Sequence, residues 1–139
     1  MAALSAVALL QAPIRLRGIQ LGRPTDLLLD VEAWQVVGFV VHCGDDTPRF
    51  LPYAASQPAT EEIAVASALM LLEDVAFYEK RGVSFRSLTG GDVARHGALR
   101  DVLIGPGGAI AELEVERDGS RHRIPAAGAT VVPTRASAA

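Results

Sequence analysis

Cysteine is almost missing: Cys43 is the only one in 139 residues. An intramolecular disulfide and a cysteine-based zinc cage are therefore excluded. A single free thiol suits a reducing compartment, so the expected location is cytoplasmic. Basic excess is missing too. Thirteen Lys and Arg stand against 16 Asp and Glu, a net charge of −3. Proteins dedicated to nucleic acid carry the opposite balance, so no nucleic-acid partner is expected. No apolar run is long enough to span a bilayer. Met1–Gln11 is apolar but about half the required length, and no Lys or Arg precedes it as in a signal peptide. It is expected to be a flexible start or an edge strand, and Arg135–Ala139 a frayed tail. Aromatic residues are scarce at 5%, with Trp34 the one tryptophan.

Hydrophobic residues make up 50% of the chain and charged residues 21%, enough for one ordinary domain or two very small ones. The first half carries β signals. Ile14–Ile19 opens it, and Leu21-Gly22-Arg23-Pro24 predicts a turn. Asp26–Asp30 is a short apolar run bounded by acids and predicts a strand. Val31–Trp34 predicts a break, placing Trp34 at a hairpin tip. Gln35–His42 (QVVGFVVH) is β-branched with an internal Gly, the mark of a strand with a bulge or a close approach. Cys43–Pro48 is a turn, Arg49–Leu51 a short strand, Tyr53–Pro58 a loop, and Glu62–Ala66 a further strand.

The second half repeats that order. Val83–Leu88 answers Ile14–Ile19, and Asp101–Ile104 answers Asp26–Leu29. Ile110–Val115 answers Val36–Val41, and Arg123–Ala127 answers Phe50–Ala54, with Ala129–Val132 as closing strand. A repeat of about 70 residues is too long for a solenoid and indicates two small domains. Gly105–Gly108 and Asp118-Gly119 are strong hairpin turns. In Ile110–Glu116 (IAELEVE) apolar and acidic residues alternate, giving one wet and one dry face. Val36–Val41 is apolar on both, so the first copy should bury more of its central sheet, against the second copy. Between the copies, Ser67–Gly82 has helical spacing. It predicts one helix of two to three turns, firmest over Glu73–Arg81, with Gly82 as C-cap and Phe77 and Tyr78 packed on the barrel.

The elements Leu16-Arg17-Gly18, Leu21-Gly22-Arg23-Pro24, Asp26–Asp30, Val36–Val41 and Phe50-Leu51-Pro52 together resemble a PRC-barrel, the small β-barrel named for the photosynthetic reaction-centre H subunit. Phe85–Gly91, Asp101–Ile104, Ile110–Val115 and Ile124-Pro125 match it more loosely, with Glu112 where the first copy has Gly38. The expected fold is all-β: two tandem PRC-type barrels related by pseudo-twofold symmetry, 12–66 and 83–134, joined by a short helix within 67–82. The resemblance implies a non-catalytic adaptor that contacts protein partners and needs no cofactor. It leaves room for a homodimer. The alternative is a regulatory protein binding a small ligand or metal in the groove between the barrels.

Few residues suggest chemistry. His42, Cys43, Asp45 and Asp46 hold metal-ligand or nucleophile types, but neighbours on a strand point to opposite faces, so His42 and Cys43 cannot share one ion. Gly105–Gly108 precedes β-like residues and not the helix start that a phosphate loop needs. Glu112, Glu114 and Glu116 suit a solvated strand face. The expected partner contacts are Trp34, as an exposed aromatic anchor unless it folds back to plug the barrel end, and Arg121 and Arg123 in the densest basic stretch. No catalytic or metal-binding residue is assigned.

Overall fold

The structure, a computed structural model, describes residues 3–45 and 47–133. Strand dominates it, as an all-β reading requires. The tail at Arg135–Ala139 lies outside the described residues, as does Asp46.

The chain begins with β1 (Leu4–Ser5) and a one-turn helix α1 (Ala6–Leu9), then β2 (Ile14–Leu16), β3 (Ile19–Asp30), β4 (Gln35–Cys43), β5 (Pro48–Pro52), β6 (Ser56–Pro58) and β7 (Ile63–Val65). Helix α2 (Val75–Glu79) follows. Next come β8 (Val83–Ser84), helix α3 (Phe85–Leu88), β9 (Asp92–Val93), β10 (Gly97–Ile104), β11 (Ile110–Arg117), β12 (Ser120–Pro125) and β13 (Val131–Val132). One curled sheet has the order β5-β4-β3-β2-β7-β6, with β8 added to β3; the other has the order β12-β11-β10-β9-β13, with β1 added to β10.

The two added strands exchange places. β1 precedes the first sheet in sequence but pairs with β10 of the second (Leu4 opposite Ile104), and β8 precedes the second sheet but pairs with β3 of the first (Leu29 opposite Val83). Each leads into a one-turn helix capped by its serine. Ser5 Oγ accepts from Ala8 N at 3.1 Å, and Ser84 Oγ accepts from Ser87 N at 3.2 Å. Each serine hydroxyl also donates to a carboxylate on the strand it has joined, Ser5 to Asp101 of β10 and Ser84 to Asp26 of β3. The same carboxylates accept from the first turn of the docked helix, Val7 N and Arg86 N, both at 3.1 Å. Ala6, Leu9, Phe85 and Leu88 enter one core shared by both sheets, with Leu27, Phe39, Leu99, Val102 and Leu113. Burial of Leu9 alone contributes about 2–3 kcal/mol.

This arrangement corrects several expectations. Met1–Gln11 is neither a loose start nor only an edge strand, because its described part holds α1, with Leu9 fully buried. Val83–Leu88 matches Leu4–Leu9 in structure, not Ile14–Ile19. Both share the pattern aliphatic-Ser-x-x-x-Leu, and the serine ends the strand by capping the next turn. Leu21–Pro24 does not turn but continues β3. The reversal lies at Arg17-Gly18, both at positive φ (51° and 85°), and Pro24 sits where the β3–β4 register slips.

The helix of two to three turns expected over Glu73–Arg81 is shorter still. It runs Val75–Glu79, with Asp74 accepting from Phe77 N at 3.3 Å. Gly82 is not its cap. A Cβ there would lie 3.0 Å from Leu28 Cβ, so glycine permits the close crossing of β3. Tyr78 stacks on Phe50 with centroids 4.0 Å apart, as expected for core packing, but Phe77 is half exposed beneath the Arg81 guanidinium. The extra apolar face of β4 (Val37, Val40) is buried not by the second half but by α2, through Val75 and Tyr78.

Candidate functional site

The outer faces of the two sheets differ. Register sets Phe39 between Leu27 and Leu51, and Leu113 between Val102 and Ile124. Position by position, Val40 corresponds to Glu114, and Phe50 to Arg123. On the first sheet this face is apolar and lies under α2. On the second it is a lattice of charge. Arg121 reaches Glu114 at 3.2 Å and Glu116 at 3.4 Å, and Arg100 lies 3.5 Å from Glu116. The IAELEVE alternation is seen directly: Leu113 and Val115 are buried, and Glu112, Glu114 and Glu116 look outward. Four consecutive residues of β12, Ser120–Arg123, are exposed. The hairpin before them turns on Asp118 and Gly119, both at positive φ.

Arg121 and Arg123 therefore stand together on an open face. Trp34 does not join them. It is only 6% exposed, holds a positive φ of 51°, and packs in the shared core. Its carbonyl accepts from Ile110 N at 2.8 Å, which ties the β3–β4 turn to the start of β11. The indole is buried and leaves little surface for a partner.

A cavity of about 350 Å³ opens where the sheets meet. Leu4 and Ile104 form one wall, Tyr53 and Ser56 the other, and the turn at Gly105-Pro106-Gly107 closes one end. Burial pushes the Tyr53 phenol above its ordinary pKa. Gly108 packs so closely that a Cβ there would lie 2.9 Å from the Tyr53 ring, and Gln35 Nε2 donates to Gly107 O at 2.7 Å. This glycine run is a packed hairpin leading straight into β11. Tyr53 reads as a loop residue in the sequence, because nothing local shows that the far half of the chain lies opposite it.

His42 is exposed and Cys43 buried, on opposite sides of β4. Asp45 is engaged by its own turn: Thr47 N donates to it at 3.1 Å and Arg49 pairs with it. The Thr47 N–H, with the Arg49 charge beside it, holds the carboxyl below its usual range. The His96 and His122 rings approach each other at 6.4 Å. Among the described residues, no three potential ligands gather around one point. Nor is any helix long and apolar enough to cross a membrane. No protein-family model matches the chain, and no curated protein matches it.

Proposed function

We propose that this chain is a non-catalytic protein-interaction module built from two PRC-barrel-like units in tandem, with Arg121 and Arg123 on its contact surface. The observation that carries the interaction reading is the contrast between the outer sheet faces. The face that the first unit covers with α2 is open and charged in the second. The reciprocal docking of β1–α1 and β8–α3, each pinned by the same Ser-to-Asp bond, supports descent from one duplicated unit. A barrel of about 50 residues buries a smaller share of its surface than a full-sized domain does, so a shared core would help two such units persist.

The test is reconstitution. A partner captured from a lysate is purified, and its binding to the intact chain is measured by calorimetry. Saturable one-to-one binding that weakens with added salt is expected of an open charged face. Failure of every purified candidate to bind overturns the reading. The seam cavity favours a second reading, a small-ligand sensor, since its volume and apolar walls suit a small molecule. Ligand-induced thermal stabilisation that Ile104→Trp abolishes by filling the cavity would establish that reading instead.

A further inference from the structure

We propose that the outer edge of β12 is a docking site for an extended protein segment bearing acidic side chains at alternate positions. The proposal rests on the protein-interaction reading and specifies its surface. The register of β11 and β12 runs without a slip from Glu112 opposite Pro125 to Arg117 opposite Ser120. One residue beyond, Ala126 N donates to Ala111 O at 3.0 Å, which marks that pair as hydrogen-bonded. Antiparallel pairs alternate between bonded and non-bonded. Ile124 and His122 therefore turn their backbone groups toward β11, and Arg121 and Arg123 turn theirs away. Among the described residues no strand pairs with that edge. Pro125 has no N–H and ends the available rungs.

The first sheet shows what such an edge accepts. Phe50, which occupies the place of Arg123, also turns its backbone outward. There Leu72 completes the rung, with Phe50 N to Leu72 O and Leu72 N to Phe50 O both at 2.7 Å. The chain thus makes on β5, through a single bridge, the kind of backbone pairing that β12 leaves open.

Charge selects the occupant. Acids on β11 lie beside arginines on β12, so sign alternates across the sheet. The next strand continues that alternation if it sets Asp or Glu beside Arg121 and Arg123. A second copy of β12, paired antiparallel, would set arginine against arginine. Basic strands are likewise disfavoured.

The experiment titrates the intact isotope-labelled chain with two blocked pentapeptides, Glu-Val-Glu-Val-Glu and Lys-Val-Lys-Val-Lys, following backbone amides by NMR. The acidic peptide is expected to shift the Arg121 and Arg123 amides and to bind about tenfold tighter than the basic one. Exchanging both arginines for glutamate should reverse that preference. Arg123→Pro removes an outward N–H without touching the β11 ladder, so it should abolish binding with the fold retained by circular dichroism. If Arg123→Pro unfolds the chain, the charge exchange still decides. Equal affinity for the two peptides, shifts centred elsewhere, or concentration-dependent pairing of β12 with itself overturns the proposal. A purified partner that binds Arg123→Pro as tightly as wild type overturns the edge alone and leaves the interaction reading standing.

Discussion

Replacing Asp101 with alanine should loosen the amino-terminal segment before it unfolds the rest. Asp101 is buried at 6% exposure and accepts from Ser5 Oγ, from Val7 N at 3.1 Å and from Val102 N at 2.8 Å. Truncation leaves the Ser5 hydroxyl and the Val7 and Val102 N–H groups without this acceptor, and the first two belong to the docked segment. Each such orphan costs about 1–3 kcal/mol, so the docked state of β1–α1 loses roughly 3 kcal/mol. That is about the burial energy of Leu9, the main apolar contact holding the segment. Local opening across Leu4–Leu10 should then rise by roughly a hundredfold, read as faster amide exchange, with a lower urea midpoint. Asp26→Ala is the internal control. It breaks the equivalent bonds, to Ser84 Oγ and Arg86 N, but at a half-buried site where water replaces part of the loss. It should cost about 1–2 kcal/mol. If Asp101→Ala proves no more costly than Asp26→Ala, or leaves exchange at Leu4–Leu10 unchanged, the latch is not what holds the segment.

Four other outcomes are expected. Gly38→Ala would set its Cβ 2.4 Å from Leu51 O and from the Phe50 ring and should cost about 3 kcal/mol or more in urea unfolding, while Gly119→Ala, with open space but a φ of 81°, should cost about 1 kcal/mol. The native fluorescence of Trp34 should be blue-shifted and shielded from iodide, and Trp34→Ala should destabilise by about 3–5 kcal/mol; a water-like emission maximum would show the indole outside. Burial raises the Tyr53 pKa, so its stabilising effect is complete below about pH 10, the unfolded value, and is lost as pH climbs through the folded one. Tyr53→Phe should therefore flatten the fall in Tm above about pH 10. A single cut between residues 66 and 73 should leave two fragments that co-elute, since each sheet holds a strand from the other half; clean separation into two folded pieces would contradict the exchange.

Much of the local structure was legible. Alternation in Ile110–Glu116 and the β-branched run Gln35–His42 specify strands and their faces, because successive side chains point to opposite sides whatever the partner. Asp118-Gly119 specifies a hairpin because few other pairs accept two positive φ values. The arginines of β12 stood out as the densest basic stretch, whereas the burial of Trp34 could not be read, since a turn residue faces in or out according to what lies beneath it. The helix over 73–81 came out too long because helical spacing also suits a segment whose first residues bridge an edge strand, as Leu72 does with Phe50.

The amino-acid order by itself determined the strand content, the hairpin turns and which faces are apolar, because these depend on backbone preferences and side-chain periodicity within a few residues. Only the tertiary structure decided which sheet each two-residue strand joins, what covers the first sheet and what the second leaves bare. A segment as short as Leu4–Ser5 has no pairing preference of its own. Its place is chosen by a carboxylate 96 residues away from Ser5, and such a choice exists only once the chain has folded.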